Sequence, residues 1–484
     1  MILRFELTVD RPYPQRIWLH APRHGTGNSP QQRSRIPAVR LRRVQWKLAT
    51  GKDNTEPMRK IVLATIGSLG DLHPFIAIGL ALKVRGFAVM MAVPADHVAK
   101  VEAAGLTGIA IVGGFDALTE TLGMPPDQVA KRIMSDQTYL MNRILMPWLA
   151  DSTTALDEAM EGAVALVASL FVFAAPIVAE TRGLPLVNVL LQPMATFSAY
   201  APPRTPDFAM MAHAPTGPIG RAWNRSVYRV MRGVLRHRYG WHVDTVRKTR
   251  GLPPSRQALL LETPASADLT LCCYSPAIAP RQPDLPDNAR VTGFAIFDSD
   301  TGAPETLEPT LEAFLAAGPP PLVFTLGSFA TFAPGDFYAT AAATARALGL
   351  RAVLLTGNDD RTAASEHIHV CRYAPHSLLF PQASAIVHHG GAGSTGQALR
   401  AGKPQLVVPH MGDQYDNAHR IQSIGVGKTL SSKHFTIMRA GAAITAILTD
   451  RMRETAAQVG AQVARENGAE AAADAIAALV VVRG

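Results

Sequence analysis

From Lys60 onward, short runs of consecutive apolar residues alternate with longer stretches of helical character. The runs "KIVLATI" at 60–66 and "FAVMMAV" at 87–93 are separated by the loop "GSLGDLH" and by "PFIAIGLALKVRG", which predicts a helix that begins at Pro74. Apolar runs without polar alternation are typical of strands that are buried on both faces of a parallel sheet. The pattern therefore predicts repeated strand–helix units.

The same alternation begins again after residue 320. Four further apolar runs follow there: "PPLVFTLGS", "RAVLLTG", "SAIVHHGG" and "PQLVVPH". Between the two series lies "RQPDLPDNARVTGFAIFDSDTGAPETLEP", whose content of Pro, Asp and Gly indicates a linker. We therefore predict an α/β fold with two Rossmann-like, doubly wound domains that face each other across a cleft. Such domains bind ligands at the carboxyl ends of their strands.

These patterns give the domain boundaries. We predict an extension at 1–57, an amino-terminal domain at 58–290, a linker at 291–320, a carboxyl-terminal domain at 321–450, and at 451–484 a helix that returns to the amino-terminal domain. The longest uncharged run, 162–179, approaches the length of a membrane span. It contains Pro176 and lacks a flanking basic cluster, so we interpret it as a strand at 165–173 followed by a short helix.

Most of the net charge of +9 lies in the extension, which has eleven Arg/Lys and four Asp/Glu (11 − 4 = +7) and leaves +2 for the rest of the chain. A nearly neutral body argues against a nucleic-acid partner. We expect the extension to be disordered, with a membrane-surface or targeting role as the alternative. Cys272, Cys273 and Cys371 match no disulfide or zinc pattern, which favours a cytoplasmic protein, with peripheral membrane association as an alternative.

The chemistry concentrates in "VHHGGAGSTGQ" at 387–397. The pattern predicts a strand end at His389, a glycine turn, and a helix that begins at Ser394. Unpaired backbone N–H groups and the positive end of the helix dipole make such a turn a site for anions, and the hydroxyls of Ser394 and Thr395 add donors. The arrangement predicts a phosphate as the anion, with His389 as the better of the two histidine donors.

A second polar segment follows the next predicted strand. "PHMGDQYDN" brings Asp413 and Gln414 to the same sheet edge, where a carboxylate and an amide suit the vicinal hydroxyls of a sugar. A phosphate site beside hydroxyl-binding groups indicates a nucleotide sugar. The triplet "DSD" at 298–300 has the Asp-x-Asp form of a metal site, but it falls in the linker, and we interpret it as a surface turn. No metal or other cofactor is expected.

Three motifs together resemble one family. The loop "HHGGAGS", the following "P..DQ..NA" and the amino-terminal "GSLGDLHPF" resemble the GT-B nucleotide-sugar glycosyltransferases of family 1, and the resemblance covers 58–484. It implies an amino-terminal acceptor domain and a carboxyl-terminal nucleotide-sugar domain. The high density of Met and aromatic residues at 115–150 and 190–260 fits a flexible apolar acceptor site.

The resemblance also implies a role for each matching position. The donor diphosphate would lie against Gly327, Ser328, His388, His389, Gly391, Gly393, Ser394 and Thr395. The nucleobase would contact Tyr373, Ala374 and His376, and the ribose Gln397, where many relatives carry Glu. The sugar would contact Asp413, Gln414 and Asn417, and the acceptor loop would contain Gly67, Ser68 and Gly70.

Transfer of a sugar requires a base for the acceptor hydroxyl and stabilisation of the departing diphosphate. Asp71 is the family-consistent base, in the predicted loop before Pro74, and His73 is the alternative. We expect the nearby helix N-terminus to lower the pKa of Asp71 further below its ordinary value. A plain helix-capping role competes with the catalytic interpretation of both residues.

Substrate identity rests on a narrower likeness within the family. The segments "IGSLGDLHPFIAIGLALKVRG", "RYAP", "ALRAGKPQ" and "DQYDNAHR" resemble the rhamnosyltransferases of rhamnolipid synthesis. That likeness implies inverting transfer of rhamnose from dTDP-rhamnose to a hydroxy-fatty-acid lipid. The ordinary "HHGGAGS" loop leaves UDP-glucose and a sterol-like or polyketide alcohol as the alternative. A sugar-nucleotide epimerase and a catalytically silent binding subunit are weaker alternatives.

Overall fold

The structure, a computed structural model, describes residues 58–213, 217–264 and 266–483. The basic extension at 1–57, and the disorder expected for it, lie outside the described residues. All named strands run parallel to their sheet neighbours. The strands are β1 Lys60–Ala64, β2 Ala88–Pro94, β3 Thr107–Val112, β4 Ala163–Ser169, β5 Leu186–Leu190, β6 Ala267–Cys272, β7 Ala289–Val291, β8 Leu322–Thr325, β9 Ala352–Leu355, β10 Ile368–Cys371, β11 Ala385–His388, β12 Gln405–Val407 and β13 Gly427–Thr429.

Helices connect these strands and cover both faces of the sheets. They are α1 Leu69–Val84, α2 Val98–Ala103, α3 Phe115–Leu122, α4 Pro126–Ser135, α5 Gln137–Leu140, α6 Leu149–Ala159, α7 Ala174–Arg182, α8 Pro218–Thr249, α9 Pro309–Ala316, α10 Gly327–Ala330, α11 Phe337–Ala347, α12 His376–Leu379, α13 Ala392–Arg400, α14 Gln414–Ser423, α15 Ile437–Ile447, α16 Asp450–Val463 and α17 Gly468–Arg483.

Two parallel sheets organise the described chain, as the apolar runs predict. The first has the order β3-β2-β1-β4-β5-β6-β7 and the second β10-β9-β8-β11-β12-β13. In each sheet the chain begins at the centre, winds outward in one direction, and then reverses. The reversals lie between β1 and β4 and between β8 and β11, and these are the points where doubly wound sheets open a ligand crevice.

The membrane-length run forms a strand and a short helix as predicted, but the strand ends at Ser169 rather than at residue 173. Residues 163–169 form the buried strand β4 and residues 174–182 form α7, with the chain breaking at the turn between them. None of the helices in the described ranges is long and apolar enough to cross a membrane.

Two predicted helix starts are wrong. Helix α1 begins at Leu69, five residues before Pro74, because Ser68 and Asp71 form a capping box that starts the helix one turn earlier. Helix α13 begins at Ala392, after the N-cap Gly391, so Ser394 lies inside its first turn rather than at its start. The N-cap residues, Ser68 and Gly391, lie a few residues before Pro74 and Ser394, where the sequence pattern places the helix starts.

The predicted linker sequence contains a strand, and the last helix of the described chain returns to the first sheet. Residues 289–291 form β7, the edge strand of the first sheet beside β6. After the second sheet, α17 packs on α1, and Ala472, Ala473 and Ile476 are fully buried against the first sheet's core. Arg85, the C-cap of α1, pairs with Glu470 and Asp474 at 2.6 and 2.7 Å. The domain boundaries themselves stay a prediction.

Candidate active site

The two glycine turns of the second sheet meet at one imidazole. A Cβ at Gly327, after β8, would lie 2.5 Å from Cε1 of His389, and a Cβ at Gly391, after β11, would lie 2.4 Å from its Nε2. Gly327 also has φ of +69°, a conformation that L side chains rarely adopt. The reversal between β8 and β11 therefore holds His389 in a slot that only glycines can form.

Burial keeps His389 neutral. Burial, followed by the nearby His388, His410 and His376, lowers the pKa of His389 well below its ordinary value. Its Nδ1 is buried and has no hydrogen-bond partner among the described residues. A neutral imidazole with an unused ring nitrogen can give or accept one hydrogen bond from a ligand at this turn.

His388 is placed differently. Its side chain is fully buried, and its Nδ1 accepts a hydrogen bond from the Gly390 N–H at 3.1 Å. That bond fixes the proton on Nε2, which donates to Oε1 of Gln405 at 2.9 Å. Both ring nitrogens of His388 are therefore engaged within the protein, and they stabilise the glycine turn. This geometry does not favour the diphosphate contact predicted for His388.

The first turn of α13 presents the remaining predicted diphosphate groups. A Cβ at Gly393 would meet nothing within 4 Å, so the backbone there opens to the cleft. Ser394 and Thr395 are buried, and the hydroxyl of Thr395 has no partner among the described residues. Gln397 is also buried, and its contact with a ribose stays a prediction. Ser328 lies in α10, beside Gly327.

The predicted nucleobase segment is held by the linker. The hydroxyl of Tyr373 donates to Oδ1 of Asp298 at 2.9 Å, and the Ser377 N–H donates to Oδ2 of the same carboxylate at 2.5 Å. His376, between them, stacks on Phe380 with ring centroids 4.3 Å apart. Burial lowers the pKa of His376, so this ring is also neutral. Ala374 is buried beside Tyr373.

The interpretation of "DSD" as a surface turn is wrong. Ser299 is buried, and Asp300 pairs with Arg372 at 2.6 Å and with Lys100 at 3.5 Å. The two carboxylates therefore join the linker to both sheets, a role that the local composition of the linker could not indicate. Within the described ranges no group of three or more His, Cys, Asp or Glu residues has the arrangement of a metal site.

The predicted sugar-binding residues lie on α14 and its N-terminal loop. Asn417 donates to the Gly390 carbonyl at 2.9 Å and to Oδ2 of Asp413 at 3.1 Å, so it ties Asp413 to the glycine turn. Oε1 of Gln414 accepts from the backbone N–H of His410 at 2.8 Å. Burial raises the pKa of Asp413 to about 7, and the negative charge of Asp71 adds to the increase.

Asp71 lies in the first turn of α1, at the reversal of the first sheet. Its Oδ2 accepts the Ser68 N–H at 2.9 Å, and a Cβ at Gly67 would overlap this carboxylate, which explains the glycine at φ +146°. Gly70, the residue before Asp71, lies in the same turn. The predicted direction of the pKa change is wrong: burial raises the pKa of Asp71 to about 6, and the hydrogen bonds from Ser68 only partly offset it.

His73 contacts the linker. Its ring packs edge-on against Phe297 with centroids 5.5 Å apart, and its Nε2 is buried without a hydrogen-bond partner among the described residues. Burial lowers the pKa of His73 to about 4, although Asp298 opposes the change. His73 therefore belongs to the contact between α1 and the linker, and this geometry favours Asp71 over His73 as the base.

Helix α1 connects the residues of the first sheet at this site with those of the second sheet. It contacts both α10 and α13, so the first turn of α1 lies beside the two glycine turns of the second sheet. The charge of Asp71 acts on Asp413 across this contact. The arrangement combines a raised-pKa carboxylate, a helix N-terminus for an anion, and neutral hydrogen-bonding groups, which is a suitable set for displacing a diphosphate with a hydroxyl.

Sequence comparison identifies the family. The chain is 30% identical over 422 residues to a vancomycin aglycone glucosyltransferase from Amycolatopsis orientalis, a match that covers 86% of this chain and 96% of that protein. The chain belongs to the family 1 glycosyltransferases. Residues 353–481 of this glycosyltransferase also match the family described as erythromycin biosynthesis protein CIII-like, C-terminal domain.

Other relatives of this glycosyltransferase carry different substrate names. An O-mycaminosyltylonolide 6-deoxyallosyltransferase from Streptomyces fradiae is 30% identical, over 85% of this chain and 95% of that protein. A sterol 3-beta-glucosyltransferase from Pichia angusta is 26% identical, over 88% of this chain and 34% of that protein. The enzyme class, a transferase that uses a nucleotide sugar, is common to the family.

Solved structures confirm the GT-B fold. The glycosyltransferase of kitacinnamycin superposes with a TM-score of 0.65 at 18% identity, covering 88% of this chain and all of that chain. A spinosyn rhamnosyltransferase in complex with thymidine diphosphate superposes with a TM-score of 0.58 at 19% identity, covering 87% of this chain and all of that chain.

Sequence reasoning missed two polar residues that assemble the site. The composition around Asp298 indicates a surface turn, and the motifs of the sequence give Asp416 no role. Asp416 is buried, pairs with Arg420 at 2.7 Å, and accepts the backbone N–H of Arg204 at 2.9 Å. The only local signal for Asp416 is its spacing of four residues from Arg420. The contact to Arg204 spans 212 residues and leaves no local pattern.

Proposed function

We propose that this glycosyltransferase transfers a hexose, with inversion, from a nucleoside-diphosphate sugar to a hydroxyl of an apolar small-molecule acceptor. Asp71 is the base, and the N-terminus of α13 with His389 and Thr395 receives the charge of the departing diphosphate. Asp413 and the amide of Gln414 bind sugar hydroxyls. Tyr373, Ala374 and His376 bind the nucleobase.

The observation that carries the proposal is the electrostatic coupling of Asp71 with Asp413. These residues come from different sheets, yet the charge of Asp71 raises the pKa of Asp413. A carboxylate with a pKa of about 6 is a better proton acceptor than an ordinary aspartate and is still ionised near neutral pH. We infer that an acceptor hydroxyl deprotonated by Asp71 attacks the anomeric carbon on the face away from the diphosphate, and such a displacement inverts the anomeric centre.

A cavity of about 360 Å³ between the end of β4, α7 and α8 is the proposed acceptor site. Its walls are mostly apolar, including Leu170, Phe173 and Leu260, and its volume suits a small organic molecule. Ser169 lines it and accepts a hydrogen bond from Thr65, whose hydroxyl is 3.4 Å from the Asp71 carbonyl. Asn188 lines the same cavity, and its buried amide nitrogen has no partner among the described residues.

Much of the predicted Met and aromatic set lies elsewhere. Met141 and Met146 are buried in the core of the first sheet. Phe115 packs on Phe329 and Phe332, which follow β8, with centroids 6.2 and 4.9 Å apart. These rings form an apolar wall between α3 and the donor turn, and they support an apolar acceptor without selecting its class.

Two pairs of donor and acceptor are candidates for the substrates. The narrower sequence likeness supports dTDP-rhamnose with a hydroxy-fatty-acid lipid. The relatives named as glucosyltransferases of the vancomycin aglycone and of sterols support UDP-glucose with a sterol-like or polyketide alcohol.

A matrix of purified donors and acceptors tests the proposal. The donors are dTDP-rhamnose and UDP-glucose, and the acceptors are a sterol, a macrolide aglycone and a β-hydroxy fatty acid, with released nucleotide and product mass as readouts. Transfer to an apolar alcohol with an inverted linkage supports the proposal. Release of nucleotide without any glycoside, or a retained linkage, would contradict it. Incubation with donor alone distinguishes an epimerase, because only an epimerase changes the sugar without an acceptor.

A further inference from the structure

The solvent-facing side of α8 carries an apolar stripe. Five exposed residues are spaced by 4, 7, 4 and 7 positions, which places them on one line of a helix with 3.6 residues per turn. Their exposed fractions are Ile219 87%, Trp223 53%, Val230 67%, Val234 40% and Trp241 61%. The stripe is about 33 Å long at 1.5 Å per residue. An exposed patch of this kind marks an interaction surface.

The opposite side of α8 is the side that packs on the protein. Val227, Tyr228, Tyr239 and Val243 are buried there. The apolar stripe is therefore additional to the helix's core face, and folding of the described chain does not account for it. Met210, which is 63% exposed, extends the patch, because its carbonyl accepts the Trp223 indole N–H at 2.9 Å.

The charge of α8 identifies the kind of partner. The helix has eight Arg and Lys residues and one acidic residue, Asp244, whose carboxylate accepts the Ser255 N–H at 2.7 Å. Arg229 and Arg238 are exposed on the two flanks of the stripe and form no ion pair with a described carboxylate. A helix that combines exposed Trp and aliphatic residues with flanking arginines suits the interface of an anionic bilayer.

Other occupants fit less well. Pairing with α8 of a second copy would bring the arginine flanks of both helices together, and like charges repel. A nucleic acid would satisfy the arginines but would gain little from Ile219, Val230 and Val234. We propose that the exposed face of α8 docks this protein onto the surface of a membrane that carries anionic lipids. Val243 and Arg247, on the inner side of the same helix, line the cavity described above, although the docking does not depend on the donor or acceptor.

Co-sedimentation of the full chain with lipid vesicles tests the docking. The vesicles are phosphatidylcholine alone and phosphatidylcholine with phosphatidylglycerol, each at low and high salt. Wild type is expected to bind the anionic vesicles preferentially and to release partly in high salt. Val230→Asp combined with Val234→Asp is expected to weaken binding by about tenfold or more, and Arg229→Gln combined with Arg238→Gln to weaken it on anionic vesicles alone.

Matched controls lie on α15, where Met438 is 83% exposed and Arg439 is its exposed neighbour. Met438→Asp with Arg439→Gln makes one apolar-to-Asp and one Arg-to-Gln change away from α8 and should bind like wild type. The extension at 1–57 is present in every variant, so its charge contributes equally. Thermal melting confirms that each variant is folded.

A second readout reports insertion rather than charge. Brominated lipids should quench tryptophan fluorescence in wild type, and Trp223→Phe with Trp241→Phe should remove most of that quenching. Equal binding of wild type and the Val230→Asp/Val234→Asp variant would overturn the proposal, as would equal binding to neutral and anionic vesicles. A dimer that this variant dissociates, with no effect on lipid binding, would assign the stripe to a second copy instead.

Discussion

Asp71 combines a structural and a chemical role in one carboxylate. It closes the capping box of α1 through Ser68, and burial raises its pKa to about 6. We expect Asp71→Asn to lower kcat by about 100-fold to 10,000-fold, the usual contribution of a general base. Donor affinity should change by only a few-fold, because the diphosphate groups lie on the other sheet. Asn can still accept the Ser68 N–H, so the helix cap is preserved, and single-turnover assays with isothermal titration would separate the two effects.

The raised pKa values predict a pH dependence with a definite sign. Since the folded state raises the pKa of Asp71 to about 6 and of Asp413 to about 7 from 3.8, it binds protons more tightly than the unfolded chain. Stability should therefore fall as pH rises from about 4 to 7 and then level off. Activity should rise over the upper part of this range as the coupled pair ionises. Thermal melts of Asp71→Asn/Asp413→Asn should show a weaker decline with pH, and an unchanged decline would contradict the assignment.

Substitution of His389 should weaken donor binding, which substitution of Asp71 should leave nearly unchanged. We expect His389→Ala to weaken donor binding as well as to lower kcat by about 100-fold to 1,000-fold, because it removes a hydrogen-bonding group from the diphosphate slot. His389→Gln restores an N–H donor and should recover part of the loss. Donor titration followed by steady-state kinetics measures both. Unchanged donor affinity in the Ala variant would remove His389 from the diphosphate site.

At the scale of elements, the linker acts as a brace for the nucleobase segment. Asp298 accepts from Tyr373 and from the start of α12, while Asp300 pairs with Arg372 and Lys100. We expect Asp298→Ala to raise the donor KM by about tenfold to thirtyfold, with a smaller effect on kcat, because two hydrogen bonds of about 1 kcal/mol each are lost. Tyr373→Phe loses one of the two bonds and should give a smaller increase. The increase in donor KM for the Asp298→Ala/Tyr373→Phe double variant should be smaller than the two single effects combined, since both substitutions remove the same contact.

The acceptor cavity offers a second test between neighbouring strands. Asn188 and Thr270 are paired across β5 and β6, and both have a buried polar atom without a described partner, but only Asn188 lines the cavity. We expect Asn188→Leu to change acceptor KM several-fold while donor KM stays the same. Thr270→Val is the matched control and should leave both constants unchanged. Equal effects of the two substitutions would indicate a general packing change rather than an acceptor contact.

At the scale of the whole molecule, the chemistry needs both sheets and the linker between them. No metal-type cluster occurs in the described ranges, and the N-terminus of α13 with its buried polar groups can receive the diphosphate charge. We expect activity to survive EDTA and deletion of residues 1–57, because residues 58–484 form a unit with their own contacts. Loss on chelation that magnesium or manganese restores would revive a metal role for Asp298 and Asp300. An insoluble truncation would show that the extension is structural.

The sequence by itself determined the parts of this protein that depend on local pattern. Buried apolar runs specify parallel strands, and the glycines after β8 and β11 specify turns, because only residues without Cβ fit against His389. Those turns, with Asp413 and Gln414 after the next strand, were enough to indicate a nucleotide-sugar enzyme and its two-sheet fold.

Only the tertiary structure decided how the charged and polar groups act. Burial reverses the expected pKa change of Asp71, and Gln405 and Gly390 occupy both nitrogens of His388. Asp298 reaches Tyr373 across 75 residues of sequence. Desolvation and hydrogen bonding depend on neighbours that folding brings together from distant segments, and a local pattern of residue types contains no record of those distances.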